Sequence, residues 1–209
     1  MNLTEPLFEA CVENLEEAIA AQKAGAERIE LCARLDLDGI TPSAQLIAAC
    51  VNGLNIPVKV MIRPHGGTFR YSEEELEEME GSISQARKLG AFGVVFGFLN
   101  SDDTIDLPTT KRFMSASKGL DVTFHKAIDS TSDPLEAVKQ LYSLGREITV
   151  LSSGGEATAL EGMEKLKAMM DAGGERISIL PAGKITKGNW IQLHQTLGSI
   201  AYHGRRIVG

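Results

Sequence analysis

Eight short runs of apolar and β-branched residues, at 7–12, 28–32, 58–63, 93–99, 121–125, 147–152, 176–182 and 199–203, recur along the 209-residue chain. Between them lie stretches with helical spacing, such as NLEEAIAAQKAG, SEEELEEMEGSISQARKLG and DPLEAVKQLYSLG. Ser72 and Glu75 have the spacing of a capping box, and Asp133-Pro134 that of an N-cap followed by proline in the first turn. A strand returned to the next strand through a helix of this length pairs in parallel, so the chain is a series of βαβ units. No internal repeat beyond this alternation, no low-complexity tract and no linker interrupts it, which reads as one domain over 1–209.

Eight such units can open as a doubly wound sheet or close as a barrel. Strands buried by helices on both faces should be apolar in both phases. Here one phase is apolar while the other collects polar groups: Glu9 and Cys11, Glu30 and Cys32, Lys59, Met61 and Arg63, Thr123 and His125, Ala201 and His203. Residues two apart in a strand share a face, so these side chains converge if the sheet closes. The expected fold is therefore an α/β protein of the (β/α)8 TIM-barrel type. Only RRIVG follows the last strand, so the eighth helix is expected to be absent; either a neighbouring copy covers that gap or the face of the last strand stays partly open, and the first of these predicts a homo-oligomer.

Composition removes several classes. A net charge of −7 and pI near 5.2 give no general surface for nucleic acid. The longest apolar runs, FGVVFGFL among them, are too short to cross a bilayer, and the N-terminus lacks a basic segment followed by an apolar one, so the expected setting is the cytoplasm without membrane attachment. Three cysteines, Cys11, Cys32 and Cys50, form no disulfide framework and are expected to be free thiols, with Cys50 as core filler on a helix.

Polar side chains at the C-terminal ends of barrel strands are where this fold carries chemistry. Arg63, His65, His125, Lys126, Asp129 and His203 all fall there. Gly66, Gly67, Gly154, Gly155 and Gly183 allow backbone amides to approach an anion, and Arg205 and Arg206 add charge beside them. An enzyme built from these parts would use Glu9 or Glu30 as acid or base, His125 as proton shuttle and Arg63 as anion clamp. Its substrate would be a small anionic or phosphorylated metabolite, and isomerase, lyase and hydrolase chemistry all fit. Each residue also has an ordinary reading: Glu9, Glu30 and Lys59 as an internal ion network, Arg63 neutralising one of those glutamates, Phe69 and Tyr71 as a cover or staple after the Gly-Gly turn, and His194 as a surface residue of the seventh helix.

The segments GAERIELC, DGITPS, VMIRPHGGTFRYSEEE, GVVFG, VTFHKAID and LSSGG, in that order, resemble the CutC copper homeostasis family, whose members are TIM-type barrels. The motifs run from the first strand to about the sixth. The resemblance implies a cytoplasmic protein of copper handling that binds Cu(I). Soft Cu(I) prefers thiolate and thioether sulfur, and Cys11, Cys32 and Met61 lie in the inward phase of three consecutive strands. Without the resemblance, the two cysteines read somewhat better as small buried hydrophobes than as metal ligands.

Overall fold

The computed structural model describes residues 6–209. Eight strands alternate with seven helices: β1 Leu7–Val12, α1 Leu15–Lys23, β2 Arg28–Leu31, α2 Ala44–Gly53, β3 Val58–Met61, α3 Glu73–Lys88, β4 Gly93–Phe96, α4 Leu107–Ala116, β5 Asp121–Phe124, α5 Pro134–Tyr142, β6 Ile148–Ser152, α6 Met163–Gly173, β7 Ile177–Pro181, α7 Trp190–Leu197 and β8 Ala201–Gly204. All pairings are parallel, and the strand order β7-β6-β5-β4-β3-β2-β1-β8 brings β7 back beside β8. The ring closes just beyond those two strands, where Thr186 and Arg206 form a parallel bridge and the Lys187 amide donates to the Arg206 carbonyl at 3.0 Å. Among the described residues this is a (β/α)8 barrel with seven of the eight helices.

The alternating side-chain phase of each strand sets the layers. Ala10, Val12, Ile29, Leu31, Val58, Val60, Val94, Phe96, Phe124, Val150 and Ile179 face outward and are buried with helix residues such as Ala18, Ile47, Met79, Phe113, Val138 and Met169 in one continuous core. Helix starts are set by side chains that accept from orphan amides: Asn14, Ser43, Ser72, Asp106 and Asp133, with Ser72 and Glu75 completing the capping box. Inside the ring, Leu7, Leu151, Leu180, Ala182 and Ala201 fill one side, and Cys11, Cys32, Met61 and Val95 pack on the other. The charged groups lie between these two apolar patches.

Two expectations are corrected. Several strands are shorter than their apolar runs: β3 ends at Met61 and β4 at Phe96, because Phe98 and Leu99 leave the ladder to pack beneath the mouth loops, Phe98 against Phe113 with ring centroids 4.5 Å apart. His194 is buried, with Nδ1 3.2 Å from the Tyr202 hydroxyl, rather than on the surface. Its helix turns that face onto β8. Where an eighth helix would lie, Phe8 of β1 meets Trp190 edge-on at 5.1 Å, and Ile207 is buried beside them. Among the described residues no helix is long and apolar enough to cross a membrane.

Candidate metal centre at the barrel mouth

The C-terminal ends of the strands surround a cavity of about 440 Å3. Cys11, Glu30, Cys32, Met61, Arg63, His125, Asp129, Gly183, His203 and Arg205 line it, together with Phe69, Lys126 and Lys184. A larger depression of about 770 Å3 lies at the opposite end, around Asp121, Arg146, Arg176 and Ile200, and holds no thiol or histidine.

The thiols meet although they are offset by one step of the ladder. Cys11 pairs in register with Glu30, and the Cys32 amide donates to the Val12 carbonyl, so the two side chains lean toward each other with Sγ atoms 3.9 Å apart. That separation is far beyond a disulfide bond and matches two sulfurs reaching one ion at metal–sulfur distances of about 2.3 Å. Cys32 Sγ lies 3.7 Å from Glu30 Oε2, and Met61 packs against both cysteines. Hydrogen bonding to Cys32, burial and the Glu30 charge hold the Cys11 thiol well above its usual pKa. Cys32 is lowered by its contact with Cys11, but burial and Glu30 outweigh that and raise it. Both are therefore thiols, not thiolates, at neutral pH.

Immediately below, His203 Nδ1 lies 2.8 Å from Glu9 Oε1 and Nε2 3.6 Å from Glu30 Oε2, while Arg28 Nε donates to Glu9 Oε2. Burial alone would raise Glu9, but the hydrogen bond and charge of His203, with Arg28 and Lys59, bring it down to about 2. Burial works against the charge on His203, yet Glu30, Cys11 and Glu9 raise it well above an ordinary histidine. The result is an imidazolium between two carboxylates. Glu30 belongs to two potential ligand sets, Cys11–Glu30–Cys32 and Glu9–Glu30–His203, within each of which the donor atoms lie within 4.8 Å. One oxygen, Glu30 Oε1, is buried without a hydrogen-bond partner.

Deeper still, Lys59 Nζ lies 2.7 Å from Thr123 Oγ and 2.5 Å from Asp121 Oδ1, the latter an ion pair off the line of a hydrogen bond. This floor does not reach the cavity.

Across the mouth the chemistry differs. Arg63 is almost fully buried, and its guanidinium donates to the carbonyls of Leu37, Asp38, Gly39 and Gly67. It neutralises neither Glu9 nor Glu30; among the described residues no carboxylate lies within ion-pair distance of it. Phe69 lies between Arg63 and His125, 4.9 Å from the guanidinium carbon and 4.9 Å from the imidazole centroid. Burial, reinforced by the Arg63 charge, lowers His125 to about 3, so it is neutral. The Ala127 amide donates to its Nδ1 at 3.1 Å, which leaves the ring proton on Nε2. Asp129 is occupied differently: its carboxylate accepts from the hydroxyl of Ser152, the amides of Ser153 and Gly155, and Lys126 Nζ, and so holds the loop after β6. Burial opposes its charge, but Lys126 and these donors lower its pKa.

The fold thus gathers most of the expected side chains in one cavity. Glu9 lies just beneath it. Gly66, Gly67 and Gly154 are not among its lining: Gly66 packs on Leu37, Gly67 supplies its carbonyl to Arg63, and Gly154 leaves room for the backbone of Gly162. His65 turns outward to Glu75 at 3.1 Å. Two partners were not singled out from the sequence, Arg28 and Asp121. Both sit two residues before a residue that was, Glu30 and Thr123, and the same period of two points to them.

A model of the CutC family matches residues 6–208, well past the sixth strand where the short motifs run out. A human relative described as a copper homeostasis protein cutC homolog is 41% identical over 197 residues, covering 94% of this chain and 72% of the relative. A crystal structure of CutC from Streptococcus agalactiae superposes with a TM-score of 0.90 at 34% identity, covering 98% of this chain and 100% of that one. Dihydrodipicolinate synthase DapA-2 from Bacillus anthracis, at 10% identity and TM-score 0.65 over 97% of this chain and 70% of its own, shares the barrel fold alone.

Proposed function

The chain belongs to the CutC family, and on that premise we propose that it acts in copper homeostasis by binding Cu(I) at Cys11 and Cys32, with Met61 beside them. The observation that carries this reading is the buried thiol pair, with Sγ atoms 3.9 Å apart at the rim of the barrel cavity. Two thiols and a thioether are the donor set that soft Cu(I) selects over harder ions. Both thiols would lose their protons as they bind the ion. The role calls for a reducing compartment such as the cytoplasm, where the thiols stay free. Copies assembling across the Phe8–Trp190 face would cover it.

The test is an anaerobic Cu(I) competition titration of the reduced protein against a chromophoric chelator. Cys11→Ser and Cys32→Ser should each weaken binding by more than about tenfold. Unchanged affinity in both variants would remove these ligands and the proposal with them. Met61→Leu, which keeps the packing volume, separates a thioether ligand from a filler.

A further inference from the structure

Two features of the cavity wall belong neither to the thiol pair nor to the Glu9–His203–Glu30 network. The first is a buried cation without a counter-ion. Arg63 is 2% exposed and is met by carbonyl dipoles and the face of the Phe69 ring, with no carboxylate of the described residues in ion-pair reach. Placing a full charge in such surroundings is costly unless an anion accompanies it. The second is a fixed donor without an acceptor. His125 is 4% exposed; Ala127 holds its Nδ1 as an acceptor, and the Nε2 it leaves protonated has no partner. A buried polar atom in this state is expected to be satisfied by something other than the protein.

The surroundings fix these groups in place. Gly97 has no side chain because a Cβ there would come within 2.6 Å of His125 Nδ1. Phe69 stacks between the imidazole and the guanidinium, so the charge and the donor lie on one wall of the same cavity. Leu35, Leu151 and Ala182 give that cavity apolar surface, and Lys184 and Arg205 stand at its rim. Asp129 and Lys126 are paired with each other, and His203 is held by Glu9 and Glu30, so none of these competes for the Arg63 charge.

From these groups we infer that the mouth binds a small organic carboxylate, its charge compensated by Arg63, one of its oxygens accepting from His125 Nε2–H, and its carbon body on the apolar wall. One buried cation beside one neutral donor matches a single negative charge better than a phosphate dianion. The cavity volume, about 440 Å3, suits a metabolite-sized molecule. This binding shares the cavity with the thiol pair but uses other side chains and needs no metal.

The experiment uses the full-length, reduced, copper-free protein at constant ionic strength. Pyruvate, benzoate and inorganic phosphate are titrated while the His125 ring is followed by long-range proton–nitrogen NMR and melting by thermal shift. A carboxylate should move the Nε2–H signal, leave the tautomer unchanged and raise Tm at concentrations up to about 1 mM. His125→Asn, whose amide oxygen can still accept from Ala127, should weaken that binding by about tenfold or more while its unliganded melting stays close to that of the parent protein. Arg63→Lys keeps the charge but not the planar fork and should also weaken it; should that variant fail to fold, the His125 signal in the parent protein remains decisive. If neither carboxylate perturbs His125, or if inorganic phosphate alone does so, the inference is overturned. Cu(I) titration of the same samples is scored separately, so failure of one reading leaves the other intact.

Discussion

Replacing Asp121 with alanine removes the only carboxylate within ion-pair distance of Lys59 among the described residues and leaves an ammonium that is 0% exposed with Thr123 Oγ as its single side-chain hydrogen-bond partner. Removing one partner of a buried pair costs about 3–5 kcal/mol, because the other charge is stranded. The Asp121 side chain is 39% exposed, so water reaches one side of the pair and the lower end applies, about 3 kcal/mol. Lys59→Met has a different outcome. It deletes the buried charge, keeps most of the side-chain length and leaves Asp121 in contact with water, so it should cost no more than about 1–2 kcal/mol. The double variant should be more stable than Asp121→Ala alone, since no stranded ammonium remains. Urea unfolding of the four proteins, analysed as a double-mutant cycle, measures the coupling directly. An Asp121→Ala loss below about 1 kcal/mol, or a double variant no more stable than Asp121→Ala, would refute the view that Lys59 is a paired structural charge of the barrel floor.

His125 carries a pH signature. Its folded pKa, about 3, lies below the unfolded value of 6.5, so below 6.5 the unfolded chain takes up a proton that the folded chain refuses, and stability falls as pH falls. Below pH 6.5 the slope should steepen toward about 1.4 kcal/mol per pH unit before Glu9 begins to contribute, and His125→Asn should show a correspondingly flatter slope in urea melts at stepped pH. Equal slopes in the two proteins would contradict a buried neutral imidazole. Asp129→Ala should destabilise the protein by at least about 2 kcal/mol and speed hydrogen exchange in the loop after β6, since the Ser153 and Gly155 amides lose their acceptor. Unaltered exchange at Ser153 would show that the carboxylate does not hold that loop.

Period and phase carried most of the architecture. The alternation of strand-like and helix-like segments implies parallel pairing, and the collection of polar groups in one phase implies closure; both follow from backbone geometry that any chain obeys. The same phase placed Cys11, Cys32, Met61, Arg63, His125 and His203 on the inside, where they line one cavity. Strand ends were less legible, because Phe98 and Leu99 are as β-like as the residues before them and only the loops above decide that they pack instead of pair.

Charge partners lay beyond the sequence. Which cation Glu9 meets depends on the register that sets it opposite both Arg28 and His203. Strands β1 and β8 are adjacent in space but separated by most of the chain, a relation no local pattern contains. For the same reason the expectation that Arg63 neutralises a glutamate fails: its side chain is held by the carbonyls of two loops whose course is set by packing. Which residue types face inward follows from the order of residues along each strand, since side-chain direction alternates there. Which of those groups meet is settled by the closed ring, because distance across it depends on register and loop path, and that is what brings two thiols to 3.9 Å and leaves buried Arg63 with no carboxylate of the described residues beside it.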